Sequence, residues 1–299
     1  MRIGIFGGEP ASIDSAVESA REATDQGFAS FWVSQIFGFD NLTVLAIVGR
    51  EVPDIELGTG VVPTYPRHPM MLAQQALTVQ AATGGRLALG IGLSHQLVIE
   101  GMFGMSFEKP LRHMREYLEI LCSLIRTGSA AFNGEVLSAN ASITVPDSTP
   151  CPVLVAALGP KMLELAGTIA DGTVTWMTGP DTLAAHTVPT ISKAAEAAGR
   201  PSPRIGAAMP LCVTDDADAA RARAAKVFQI YGVLPSYRAM LDREGLAGPE
   251  DLAIIGTEAE AKVEIRRLED AGVTDFVVAE FASNDDERTR TRELLRSLL

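Results

Sequence analysis

A histidine placed directly after a glycine-rich apolar run is the clearest candidate for proton transfer in this chain. The run ends in Gly90-Ile91-Gly92, and Leu93, Ser94 and His95 follow. Histidine titrates near neutral pH, so it can donate or accept a proton. We therefore take His95 as the candidate catalytic residue. The alternative is a structural histidine bonded to the loop backbone.

A second candidate segment contains two glycines followed by two basic residues. Gly58-Thr59-Gly60-Val61 ends an apolar run, and Arg67 and His68 precede Pro69, which is a typical first residue of a helix. Glycines in this position indicate a bulge or a backbone that a ligand approaches closely. Arg67 and His68 would then line a substrate pocket. The alternative is a tight turn with solvated charges.

Two Gly-Pro pairs predict helix starts that could bind a phosphate. Leu158-Gly159-Pro160-Lys161-Met162 follows one apolar run, and Thr178-Gly179-Pro180 follows the next. Free backbone N–H groups and the helix dipole attract anions at a helix N-terminus. The repetition favours two adjacent termini holding one phosphate group, with Lys161 adding charge. The alternative for each is an ordinary strand-to-helix turn.

The elements that would position these segments form a regular rhythm. Eight short apolar runs alternate with amphipathic helix signals, which predicts parallel strands with right-handed crossovers. Eight such units predict a (β/α)8 TIM barrel, whose chemistry lies at the C-terminal ends of its strands. The predicted strands are Ile3–Gly7, Phe31–Val33, Leu57–Val62, Leu87–Ile91, Val153–Ala157, Thr173–Trp176, Ile205–Val213 and Asp275–Ala279.

Two stretches interrupt this rhythm. After the fourth barrel helix, Thr127–Pro150 predicts a small extended insertion with a turn at Asn133-Gly134 and a strand at Ser142–Val145. Before the eighth strand, Tyr231–Gly256 predicts helices and loops. Because no linker separates a second unit, residues 1–299 are predicted to form a single barrel domain.

Composition and absent motifs exclude several classes of protein. The net charge of −12 argues against nucleic-acid binding. Three scattered cysteines predict a reducing, cytoplasmic location, and no apolar run reaches the roughly 18 residues of a membrane span. There is no Rossmann or P-loop motif, no HxH or HExxH pair and no paired carboxylate after the strands. We expect no metal and a small-molecule substrate. The apolar stretch Leu42–Val48 would suit the interface of a homodimer and equally suits packing onto the barrel.

In this order, the segments resemble the luciferase-like monooxygenase superfamily, and most closely its branch of oxidoreductases that use the deazaflavin coenzyme F420. The resemblance spans nearly the whole chain. It rests on Arg2–Gly7, Phe31-Trp32-Val33-Ser34, Gly58–Val61 with Arg67-His68-Pro69, Gly90-Ile91-Gly92, Ala156–Met162 and Ala170-Asp171-Gly172.

The resemblance implies where a cofactor would lie. A bulge with a non-prolyl cis peptide bond, here Gly60–Val61, would support the flat ring in the barrel mouth. The phosphate would lie against the loop before the fifth barrel helix, with help from the next loop. The implied cofactor-binding residues are Gln35, Gly60, Val61, Leu158, Gly159, Pro160, Lys161, Met162, Thr178 and Gly179.

Departures from the family pattern bear on the reaction. Sugar-phosphate dehydrogenases of the family carry an Asp-His pair where this chain has Gln35 and Ile36, and a glutamate acid where it has His95. The resemblance therefore implies a reductase that adds hydride and a proton to an activated double bond, with His95 or a water as the proton donor. Gln35 would bond the ring edge, and Phe37 and Trp176 would wall the pocket.

Two alternatives stay open at this point. The same barrel would accept FMN in a monooxygenase or reductase, or it would bind a cofactor or ligand without turnover. Cationic residues at the mouth would favour coenzyme F420, which bears a long acidic tail. The candidates are Arg67, Lys109, Arg112 and His113.

Overall fold

A closed barrel of parallel strands forms the centre of the molecule in a computed structural model, which describes residues 1–299. The strands are β1 (Arg2–Gly8), β2 (Ser30–Val33), β3 (Glu56–Thr59), β4 (Val62–Pro63), β5 (Leu87–Gly92), β6 (Ser129–Asn133), β7 (Ser138–Ser142), β8 (Val153–Val155), β9 (Gly172–Trp176), β10 (Arg204–Val213), β11 (Ile254–Gly256) and β12 (Asp275–Glu280). The order β12-β1-β2-β3-β5-β8-β9-β10 closes because β10 also pairs with β12. Each barrel strand overlaps one of the eight predicted runs, so the predicted TIM barrel is confirmed.

Helices surround the barrel and connect its strands. They are α1 (Ile13–Asp25), α2 (Asn41–Glu51), α3 (Pro69–Thr83), α4 (Gln96–Gly101), α5 (Pro110–Thr127), α6 (Pro160–Ile169), α7 (Pro180–Thr182), α8 (Val188–Ala197), α9 (Ala217–Val227), α10 (Pro235–Glu244), α11 (Glu258–Asp270) and α12 (Asp285–Arg296). A π-helical turn, Leu183–Thr187, joins α7 to α8. None of these helices is long and apolar enough to cross a membrane.

The barrel interior is filled by the indole ring of Trp32 and by smaller apolar side chains around it. Trp32 is fully buried, and a Cβ atom added to Gly58 on the neighbouring strand would lie 2.1 Å from its indole ring. Gly58 is therefore required by packing rather than by a ligand. The interior layer around the indole consists of Trp32, Ala88, Leu154, Val174, Ala208 and Val277.

The first insertion is a β-hairpin anchored to α5. Strands β6 and β7 pair antiparallel from Ser129↔Ser142 to Asn133↔Ser138, so the turn predicted at Asn133-Gly134 is confirmed. The Glu116 carboxylate, on α5, accepts three backbone N–H groups of this turn at 2.7–3.0 Å. The strand predicted at Ser142–Val145 is wrong, since β7 ends at Ser142, where β6 no longer offers a partner.

The second insertion follows α9 and contains α10 between two 3-10 turns, Gln229–Gly232 and Pro249–Asp251. It ends in β11, which the sequence did not predict. This three-residue strand pairs with the part of β10 that extends beyond its barrel partner β9. The helices and loops predicted for this stretch are otherwise confirmed.

The apolar stretch Leu42–Val48 packs against the chain's own barrel. Leu42, Val44, Leu45 and Val48 are at most 1% exposed on the inner face of α2. Ala46 and Ile47 of the same stretch are half-buried, and the homodimer expected for it stays a prediction. Packing within the chain, which their apolar character equally allows, is the observed arrangement.

An ion-pair network lies at the N-terminal ends of the strands, opposite the expected site. The Arg204 guanidinium donates to Asp275 at 2.7 Å and to Glu56 at 2.8 Å. Arg2 adds longer contacts of 3.2–3.3 Å to the same two carboxylates. Since β1, β3, β10 and β12 begin here, the network ties four strands together.

Candidate active site

The floor of the barrel mouth is apolar and is built from three different strand ends. Phe6, Val61 and Trp176 are half-buried and pack on top of the interior layer around Trp32. The Phe6 and Trp176 ring centroids are 5.7 Å apart. The Gly60–Val61 peptide bond is cis, as the resemblance implied. A Cβ atom at Gly60 would lie 2.6 Å from the Phe6 ring, so only glycine fits there without a shift.

The N-terminus of α6 is open at this end of the barrel. Gly159 is the N-cap residue, so no side chain caps the helix, and the N–H groups of Gly159 and Lys161 donate no hydrogen bond within the protein. Both residues are exposed, and a Cβ atom at Gly159 would meet nothing within 4 Å. Lys161 has no acidic partner. Flanked by Pro160 and half-buried Met162, this terminus has the donors and the charge that a phosphate group requires.

The N-terminus of α7 is occupied by a side chain of the protein itself. The N–H groups of Asp181 and Thr182 donate to the Glu244 carboxylate at 3.1 and 2.8 Å. A Cβ atom at Gly179 would also lie 2.2 Å from that carboxylate. The structure therefore corrects the expectation of two free termini. Glu244 takes the anion position that was predicted for a phosphate beside Thr178 and Gly179.

His95 lies at the start of α4 without a hydrogen-bonded partner. It occupies the N-cap position but makes no side-chain cap, and its ring centroid is 6.0 Å from that of Tyr237. Burial lowers the pKa of His95 below its ordinary value of 6.5. The imidazole is therefore mainly neutral at pH 7. The alternative of a structural histidine bonded to the loop backbone is not observed.

The loop after β2 contributes an amide and an exposed ring. Gln35 accepts the Asn41 N–H at 3.0 Å through Oε1, which leaves its Nε2 without an acceptor in the protein. This side chain therefore retains a donor for a ligand. Phe37 is 59% exposed. Its ring can wall the site only from the rim, whereas Trp176 contributes to the floor.

Arg67 and His68 are both held by protein partners. Arg67 forms an ion pair with Asp40, the N-cap residue of α2. The His68 ring accepts the Met70 N–H at 3.3 Å and contacts the Ser138 carbonyl oxygen of the hairpin at 3.3 Å. Their protein contacts thus lie with α2, α3 and the hairpin, and a role of either residue in the substrate pocket stays a prediction.

The remaining cations proposed for an acidic cofactor tail are also engaged. Lys109 and Arg112 both pair with Glu135 of the hairpin turn. His113 is buried, stacks on Tyr65 at 4.0 Å and has a pKa lowered to about 4 by burial. It is therefore neutral at pH 7. Lys161 is left as the unpaired cation next to the α6 terminus.

The sequence-based prediction missed an aromatic cluster beside the floor. Phe228, Tyr231 and Tyr237 come from the second insertion, and the first two lie 6.0 and 6.2 Å from the Trp176 ring. Tyr237 packs on Tyr231 at 4.8 Å, and burial raises the pKa of its hydroxyl. Three aromatic residues within ten positions were a detectable signal, since only 6% of the chain is aromatic.

The mouth fits a flat cofactor that bears a phosphate. The floor is apolar, the α6 terminus offers free donors, and the buried hydroxyls of Ser34 and Thr178 lack any partner in the protein. These two residues follow β2 and β9 at the C-terminal side. Because buried polar groups almost always have partners, such orphaned hydroxyls favour a bound polar group at this end of the barrel.

Comparison with known proteins agrees with this architecture. The model of the luciferase-like monooxygenase family matches residues 1–287. The 5,10-methylenetetrahydromethanopterin reductase of Methanolobus tindarius is 31% identical over 284 residues, which cover 92% of this chain and 85% of the reductase.

Solved structures show the same fold at lower identity. The coenzyme F420-dependent tetrahydromethanopterin reductase of Methanopyrus kandleri has a TM-score of 0.82 and 22% identity, with 99% of this chain and 97% of that chain covered. A type II Baeyer–Villiger monooxygenase component of Pseudomonas putida in complex with FMN has a TM-score of 0.77 and 17% identity, with 99% and 96% covered.

The chain therefore belongs to the luciferase-like monooxygenase family. It is an oxidoreductase, and its relatives act on small molecules. The alternative of a barrel that binds a ligand without turnover is thereby set aside.

Proposed function

We propose that this enzyme transfers a hydride between coenzyme F420, bound at the mouth of the barrel, and a small organic substrate, and that it reduces an activated double bond. The observation that carries the proposal is the open N-terminus of α6, with free amides at Gly159 and Lys161, beside the apolar floor. The reductase relatives favour a deazaflavin in this position.

The residues of the mouth would hold the cofactor from two sides. The Gly159 and Lys161 amides and the Lys161 ammonium would bind the phosphate, because charge-assisted hydrogen bonds are strong where the helix dipole adds to them. Phe6, Val61 and Trp176 would support the flat ring, and the free Gln35 Nε2 would donate to its edge. When bound, the deazaflavin supplies or accepts the hydride; the protein orients it and excludes water.

His95 is proposed as the group that delivers the proton. Its lowered pKa leaves little imidazolium at pH 7, so reduction should speed up as the pH falls toward this pKa and level off below it. In the reverse direction His95 would act as the base, and the rate should rise with pH. We expect a slope of about tenfold per pH unit in kcat/KM on the limb above the pKa.

Substitution of His95 tests this assignment. His95→Asn should lower kcat about 100-fold and remove the pH limb, with the Kd for the cofactor unchanged within about twofold. The pH–rate profile and a fluorescence titration of each protein provide the measurement. A variant that keeps the wild-type profile would leave the proton to a water molecule.

The second candidate function is an FMN-dependent monooxygenase or reductase, which the FMN-containing structural neighbour favours. Titration of the purified protein with each cofactor, followed by fluorescence quenching, separates the two candidates. We expect saturable micromolar binding of F420 and weaker binding of FMN; the reverse order would overturn the choice of cofactor. Stopped-flow bleaching of reduced F420 by enones or quinones then tests turnover.

A further inference from the structure

We propose that His186 is a positioning residue that orients the Gly159 amide toward the cofactor phosphate. This inference rests on the proposed function, since it concerns the loop before α6 that would hold the phosphate. His186 itself would not touch the cofactor. It would act through the carbonyl group of Leu158.

The contact that carries the inference joins two distant segments. His186 Nε2 lies 2.9 Å from the Leu158 carbonyl oxygen, and His186 is 8% exposed. A carbonyl oxygen can only accept a hydrogen bond, so Nε2 carries the proton and donates it. This donor satisfies the carbonyl of a half-buried residue on the protein side of the loop.

Peptide geometry turns this contact into control of the neighbouring amide. The Leu158 carbonyl and the Gly159 N–H belong to one peptide unit, which is trans, because Gly60–Val61 is the cis bond of the chain. The two groups of a planar trans peptide point in opposite directions. When His186 holds the oxygen toward the protein, the Gly159 N–H must point outward, where it has no acceptor and is exposed.

His186 lies in a local irregularity of the helix. Residues Leu183–Thr187 form a π-helical turn between α7 and α8. A π turn contains an extra residue, which changes the direction of the side chains relative to a regular α-helix, and such turns often occur at functional sites. The hydrogen bond from His186 matters more because residue 159 is a glycine, whose backbone has more conformational freedom than that of any other residue.

The test compares ligands with and without a phosphate on three proteins. Wild type, His186→Phe and His186→Gln are titrated with F420 and with a phosphate-free deazaflavin, and in parallel with FMN and riboflavin. His186→Phe keeps a ring but has no donor, whereas His186→Gln retains an N–H donor. His186→Asn, whose side chain is too short to reach Leu158, is a second loss variant if the phenylalanine variant fails to fold.

We expect His186→Phe to raise the Kd for the phosphate-bearing ligand about five- to tenfold, and to leave the Kd for its phosphate-free counterpart unchanged. His186→Gln should stay within about twofold of wild type. The role of this hydrogen bond would be overturned if His186→Phe weakened the binding of both ligand forms equally, or of neither. It would also be overturned if His186→Gln weakened binding of the phosphate-bearing ligand as much as His186→Phe does. Wild-type protein that binds both forms equally would overturn the phosphate site itself, which distinguishes failure of the proposed function from failure of this inference alone.

Discussion

Gly159→Pro is expected to weaken binding of the phosphorylated cofactor by about thirtyfold. The substitution deletes one backbone N–H donor, and a hydrogen bond to a charged group contributes about 2 kcal/mol, which corresponds to that change in Kd. The backbone should otherwise be undisturbed. Gly159 has φ −78° and ψ 153°, which proline adopts readily, and a Cβ atom there meets no other atom.

Gly159→Ala is the matched control for this experiment. It adds the same Cβ atom but keeps the N–H group, so its Kd should equal that of wild type within about twofold. Both variants should bind a phosphate-free deazaflavin as the wild type does. If the proline variant bound the phosphorylated cofactor as tightly as the wild type does, the α6 terminus would not be the group that holds the phosphate.

The sequence was sufficient to predict the barrel and the start of α6 because both depend on local patterns. Eight apolar runs separated by helix signals allow few other topologies, and Gly-Pro at a strand end defines a helix start from neighbouring residues alone. The capping boxes of α1 and α11 form in the same way. Their Ser12 and Thr257 side chains bond backbone N–H groups only three residues ahead.

Partners far apart in sequence were not predictable from one chain. The α7 terminus has the same Gly-Pro signal as α6, but Glu244, more than sixty positions later, occupies it. Asp40 pairs with Arg67 in the same way, across 27 positions. A local motif therefore indicates that a helix begins, while only the tertiary structure shows whether its free amides stay available for a ligand.

The aromatic cluster shows a further limit of a strand-centred prediction. Phe228, Tyr231 and Tyr237 lie in an insertion outside the predicted barrel strands, so a search restricted to the ends of those strands passes over them. The fold nevertheless brings two of them within about 6 Å of Trp176, at the end of β9. Insertions next to a barrel mouth thus need to be considered together with the strand ends.

Arg204→Met should lower the free energy of unfolding by about 3 kcal/mol, because it leaves two carboxylates at the base of the barrel without their main partner. The Asp275 side chain is only 5% exposed, and Arg204 bonds both it and Glu56. The contacts of Arg2 would compensate in part. Urea unfolding followed by circular dichroism measures the change.

Arg2→Met provides the control, since it removes a second arginine from the same carboxylates. The Arg2 side chain is 45% exposed and its contacts are longer, so its loss should amount to less than about 1 kcal/mol. If both variants lost the same free energy of unfolding, the burial of Arg204 would not determine how strongly the network stabilises the barrel. Cofactor affinity should be unchanged in both, because the network lies at the N-terminal ends of the strands and the mouth lies at their C-terminal ends.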